Sequence, residues 1–157
     1  METPLQLANR FREVYLNGEW VVYTNYKAQL SETPREILTK EIEDLNTIES
    51  IAFHIHYYVH GVLNVLEGGT LDISDKYSFD FPPTKSEEEW KSFLTTFIND
   101  CEKFAEVIEN MSDEDLDGDF SENKYGSKRK NINALIEHGY YHLGQIILIK
   151  KLVNKNL

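Results

Sequence analysis

Apolar residues recur at helical spacing in four long stretches of the chain. In residues 5–15 they fall at Leu5, Leu7, Ala8, Phe11, Val14 and Tyr15, behind a Thr3-Pro4 start in which threonine caps and proline fills the first turn. A shorter amphipathic piece opens at Pro34, after Ser31-Glu-Thr33. The second long helix opens at Asn46-Thr47, with Glu49 in its first turn. Its face reads Ile48, Ile51, Ala52, Ile55, Val59, Val62, Leu63 and Leu66, and Gly68-Gly69 stop it. The third has the clearest stripe: Trp90, Phe93, Leu94, Phe97, Cys101, Phe104, Ala105, Ile108 and Met111. Ser86 is a good N-cap for it, and Glu87, Glu88 and Glu89 suit the positive end of the helix dipole. The fourth covers residues 131–151.

Between the second and third helices the pattern changes. Leu71, Ile73, Tyr77, Phe79 and Phe81 alternate with polar residues until Pro82-Pro83. Residues 70–85 are therefore expected as extended chain that could hold short strands, and they are longer than a typical connection. No internal repeat or low-complexity tract interrupts the rest. Four helices with one long and several shorter connections predict an all-α bundle, and 157 residues make a single domain, 1–157.

Bulk properties narrow the function. A net charge of −11 argues against nucleic-acid binding, which needs a basic surface. The one basic cluster, Lys128-Arg129-Lys130, reads as a solvated helix start. The single cysteine, Cys101, excludes an internal disulfide, fits a reducing compartment, and falls on the apolar stripe of the third helix. The start Met1-Glu-Thr-Pro4 lacks the basic and apolar runs of a signal peptide. The aliphatic run 146–149 is far short of the ~20 residues that span a bilayer. A cytoplasmic protein without membrane contact is expected.

Candidate chemistry lies in the histidines. His138 and His142 stand four apart on the fourth helix, so their imidazoles lie one above the other and can share a metal ion. Gly139 centres the apolar face, which puts His142 roughly 60° and His138 roughly 100° to one side, at the border of the core. The second helix carries His54-Ile-His56-Tyr-Tyr-Val-His60. Around Ile55, His54 sits roughly 100° to one side and His56 roughly 100° to the other, with His60 further round. His56 and His60 are a second i, i+4 pair, and periodicity leaves open which flank faces the fourth helix. Gly61, on His54's side, would leave room beside that imidazole. Three protein ligands with a position left open would make a catalytic rather than a structural metal site. Glu137 adjoins a ligand but points roughly 100° away from it, so no general base stands out. Asp113-x-Asp115-x-Asp117-Gly118 imitates the start of a calcium loop. Lys124 stands where the bidentate glutamate belongs, and Ser112 followed by acidic residues reads as a capped, solvated turn.

Two blocks resemble the DinB-like proteins, the DinB/YfiT superfamily of proposed metal-dependent enzymes. One is Asn46-Thr-Ile-Glu-Ser-Ile-Ala-Phe-His54 with Tyr57-Tyr58 and Leu66-Glu-Gly68. The other is Ile136-Glu-His138-Gly-Tyr-Tyr-His142-Leu-Gly-Gln145-Ile146. Asp75-Lys-Tyr-Ser-Phe79 and Lys124-Tyr-Gly126 are similar to linking motifs of one branch. The resemblance implies a four-helix bundle of up-down-down-up order holding a divalent metal with one histidine from helix two and two from helix four. Counted back from Leu66-Glu-Gly68, these fall on His54, His138 and His142, with His56 as fallback. Zinc suits imidazole, and nickel, iron or manganese would also fit. The family implies a small-molecule transferase, including a thiol S-transferase using a low-molecular-weight thiol, or a hydrolase, and a homodimer. The competing reading is a non-catalytic metal- or ligand-binding dimeric bundle, which a fourth protein ligand at the site would favour.

Overall fold

The computed structural model describes residues 2–155, with the backbone alone at Asn123. The fold is all-helical, and among the described residues the only β pairing is two isolated bridges, Ile42 with Leu45 and Asp119 with Ser127. Helix α1 (Pro4–Arg12) winds into a π turn (Glu13–Asn17). Then follow α2 (Tyr26–Glu32), α3 (Arg35–Leu38), α4 (Ile48–Leu66), α5 (Glu87–Glu109), α6 (Asp113–Asp117) and α7 (Lys128–Lys155).

The starts obey local chemistry. Thr3 and Gln6 form a capping box before Pro4, Thr47 accepts from Ser50 N, and Ser86 accepts from Glu89 N. Helix α2 is not visible in the periodicity, because it buries only Tyr26 and Leu30. Asn25 caps it by accepting from Ala28 N at 2.9 Å. Helix α7 begins at Lys128, so the basic triplet is its first turn. Arg129 pairs with α6, donating to Asp117 at 2.6 Å and Asp113 at 3.1 Å.

The helices enclose one core. Phe104 of α5 stacks on Phe11 of α1 (4.4 Å between centroids), Phe11 on Tyr15 (4.3 Å) and Tyr15 on Tyr26 (5.1 Å), all fully buried. The two phenols donate to α7 carbonyls, Tyr15 to Leu135 O at 3.0 Å and Tyr26 to Gly139 O at 2.8 Å. Gly139 is what admits Tyr15: a Cβ there would stand 2.6 Å from the phenolic oxygen. Cys101 is buried in the same core, where burial pushes its thiol well above the usual range.

Contacting residues give the relative directions. Phe11 meets Phe104 while Tyr15, four residues on, meets Phe97, so α1 and α5 run antiparallel. Arg10 bonds Asn133 and Tyr15 reaches Leu135, so α1 and α7 run parallel. Phe53 meets Phe93, His60 meets Asp100 and Glu67 meets Lys103, so α4 and α5 are parallel as well. Among the described residues no helix is long and apolar enough to cross a membrane.

The connection between α4 and α5 forms no strand. It turns back at Gly68-Gly69 and runs along α4 as a strap, from Asn64 near that helix's end to Glu49 near its start. Asn64 donates to Thr70 O at 2.7 Å, Ser74 N donates to Tyr57 Oη at 2.9 Å, and Tyr58 donates to Asp75 Oδ1 at 2.8 Å. Phe81 then stacks on Phe53, and buried Glu49 accepts from Thr84 N at 3.3 Å. Gly61 makes room for this strap rather than for an imidazole. A Cβ at Gly61 would lie 2.3 Å from Cγ2 of Ile73.

Candidate metal centre

His54 arises from the middle of α4, His138 and His142 from successive turns of α7. The antiparallel packing of these helices brings all three together. The ring centroids lie 4.7 Å apart for His54–His142, 4.5 Å for His138–His142 and 5.1 Å for His54–His138. Nε2 of His54 and Nε2 of His138 are 3.2 Å apart. One nitrogen from each ring lies within 4.8 Å of the other two, close enough to share an ion. No fourth histidine, cysteine or carboxylate joins this group among the described residues.

The outward nitrogens explain the tautomers. Nδ1–H of His54 donates to the carbonyl of Ser78 at 3.3 Å, and Nδ1–H of His142 donates to Oε1 of Gln145 at 2.6 Å. A carbonyl can only accept, so neutral His54 keeps its proton on Nδ1 and turns a lone pair inward from Nε2. This is how metal-bound histidines are usually oriented. Phe79 stacks on His54 at 4.0 Å and helps fix the ring.

Electrostatics favour the neutral, ligating form. Burial, reinforced by His142, lowers His54 to about 4, with Ser78 and Asp75 opposing. Burial, His142 and His54 likewise lower His138 to about 4. His142 is lowered by burial, against the pull of Gln145. Imidazoles that stay neutral at pH 7 are donors ready for a cation. The donor set therefore fits a metal ion.

A cavity of about 500 Å³ opens beside His138. Val62, Leu71, Ile73 and Leu135 give it apolar walls, and Tyr58, Asp75 and Asn131 give it polar groups. Asp75 is the only charged side chain in this lining. Burial, with the Asp75 hydrogen bond, raises the Tyr58 phenol, so it stays protonated and donates to that carboxylate.

The geometry brings together the three histidines expected from the sequence and leaves His56 and His60 outside, on the α5 flank of α4. Ser78, Phe79, Asp75 and Gln145 are the site residues that periodicity missed. Gln145 carried a signal in its spacing, three residues after His142 on the same flank, whereas Asp75, Ser78 and Phe79 stood out only through the resemblance of the segment 75–79 to a linking motif. Glu137 is exposed and turned away. The calcium-loop imitation is α6, where Asp115 closes a capping box with Ser112 and Asp113 and Asp117 hold Arg129. These acidic groups form no metal-ligating cluster among the described residues.

Comparison with family models, with curated proteins and with solved structures finds no significant match to this chain.

Proposed function

We propose that the chain is a DinB-like four-helix bundle that holds a divalent metal ion with His54, His138 and His142 and acts on a small molecule admitted at the cavity beside His138. One observation carries the reading: three largely buried, neutral imidazoles from two helices converge, two with their outer nitrogens held by acceptors. The pairwise helix directions support the family part, since α1 and α7 pointing one way with α4 and α5 pointing the other is what an up-down-down-up order requires. Zinc suits the all-imidazole donor set best; nickel, iron and manganese also fit.

When bound, the ion supplies Lewis-acid polarisation of a group delivered to it. Three protein donors rather than four is the count that leaves a position for such a group. The chain's own residues do the rest. Val62, Leu71, Ile73 and Leu135 cover an apolar body, while Asn131 and Tyr58 orient its polar end. The Asp75 oxygen that Tyr58 does not engage accepts a proton from the nucleophile, a low-molecular-weight thiol or water. The reaction class is therefore transfer or hydrolysis.

Metal content of protein purified without a histidine tag, read beside helical circular dichroism, tests this. His142→Ala is expected to lower the metal content by one equivalent and to leave helicity intact, because the core is built from the apolar stripes. A fully helical variant with unchanged metal content would overturn the reading.

A further inference from the structure

The opposite flank of α4 gathers a second set of metal-ligating groups. His56 Nε2 and His60 Nδ1 lie 2.8 and 2.9 Å from the same atom, Oδ2 of Asp100 on α5. All three donor atoms lie within 4.8 Å of one another. The pair stands at i, i+4 on a 19-residue helix, the spacing that lets two imidazoles share one ion. His56 is held edge-on against Phe93 (5.4 Å) and Phe97 (5.7 Å), so its ring is aimed before any ligand arrives. Among the described residues, Asp100 has no lysine or arginine partner; its carboxylate faces only the two imidazoles. The side chains of His56 and Asp100 are mostly covered, at 17% and 19% exposure, while His60 is 68% exposed and free to adjust. Beside them opens a cavity of about 500 Å³, lined in part by His56, His60, Asn64, Asp72 and Thr96.

We infer that His56, His60 and Asp100 form a second divalent transition-metal site that clamps α4 to α5. Two imidazoles and one carboxylate suit zinc, cobalt or nickel rather than calcium or magnesium, which prefer all-oxygen shells. Bound there, the ion would replace two hydrogen bonds to one oxygen by three ligand bonds, with the remaining positions facing the cavity. His60 would need only a small side-chain adjustment, because nothing encloses it. This inference is independent of the three-histidine reading, since it uses none of those residues.

Cobalt(II) alone, titrated into tag-free, metal-stripped full-length protein, supplies the test through visible absorption and calorimetric stoichiometry. Wild type is expected to bind two equivalents, and His142→Ala one. Asp100→Asn and His60→Ala are each expected to lose one equivalent or to weaken it at least tenfold. His60→Ala guards against misfolding, since that side chain is exposed. A single equivalent lost in Asp100→Asn yet kept in His142→Ala would uphold this site while removing the three-histidine one. Wild-type stoichiometry and affinity persisting in both Asp100→Asn and His60→Ala would overturn the inference.

Discussion

At the scale of single residues, the three converging imidazoles make the metal-free protein sensitive to acid. His54 and His138 titrate near 4 in the fold, against 6.5 when free of it. Between those values the unfolded chain takes up protons that the folded one refuses. Stability present above pH 6.5 therefore falls as the pH drops toward about 4. His138→Gln keeps a neutral polar group and removes that residue's share of the uptake. In metal-stripped protein, the gap between wild-type and His138→Gln urea midpoints is expected to change between pH 7.5 and 4.5, with wild type losing more. Parallel pH dependences would contradict it. The choice of His54 shows how much of this site the sequence carried. Helical geometry placed His54 and His56 on opposite flanks and could not choose between them; the Leu66-Glu-Gly68 resemblance pointed to His54. The Ser78 carbonyl and Phe79 ring that fix it lie 24 and 25 residues away, beyond any helical repeat.

At the scale of elements, α1, α4, α5 and α7 are legible because each buries a continuous stripe. Helix α2 is not, because two buried residues make no period. The strap misleads in an informative way. Its aromatic alternation imitates a strand, but Phe79 and Phe81 lie on the side chains of α4 rather than beside another strand. Its close approach at Ile73 depends on Gly61. In a helix interior, Gly→Ala is ordinarily favourable by about 1 kcal/mol. Here the added methyl meets the branched Cγ2 of Ile73 rather than a flexible tip, and overpacking of that kind costs about 1–3 kcal/mol. Gly61→Ala is expected to lose about 1 kcal/mol net in chemical denaturation. Gly61→Ala with Ile73→Ala should recover that loss, because the obstacle is gone. A double variant no better than Gly61→Ala alone would show that the strap does not press there.

At the scale of the whole molecule, a metal held by α4 and α7 would stabilise the folded chain by mass action. Zinc at one hundred times its dissociation constant should add about 2.7 kcal/mol per site. The part of that increment belonging to the three histidines is expected to vanish in His142→Ala, measured as the zinc-induced shift of the denaturation midpoint. An unchanged shift would place the stabilising ion elsewhere. The two helices also set an order in time. His54 and His138 are 84 residues apart, and none of the described residues between them supplies a ligand to their cluster. A chain still emerging from the ribosome, with α7 unmade, offers that cluster one imidazole of three. Unlike a zinc finger, whose ion templates a short loop, this site needs α7 to be made and docked against α4 before those three ligands meet. The ion would then act as a seal on a finished fold.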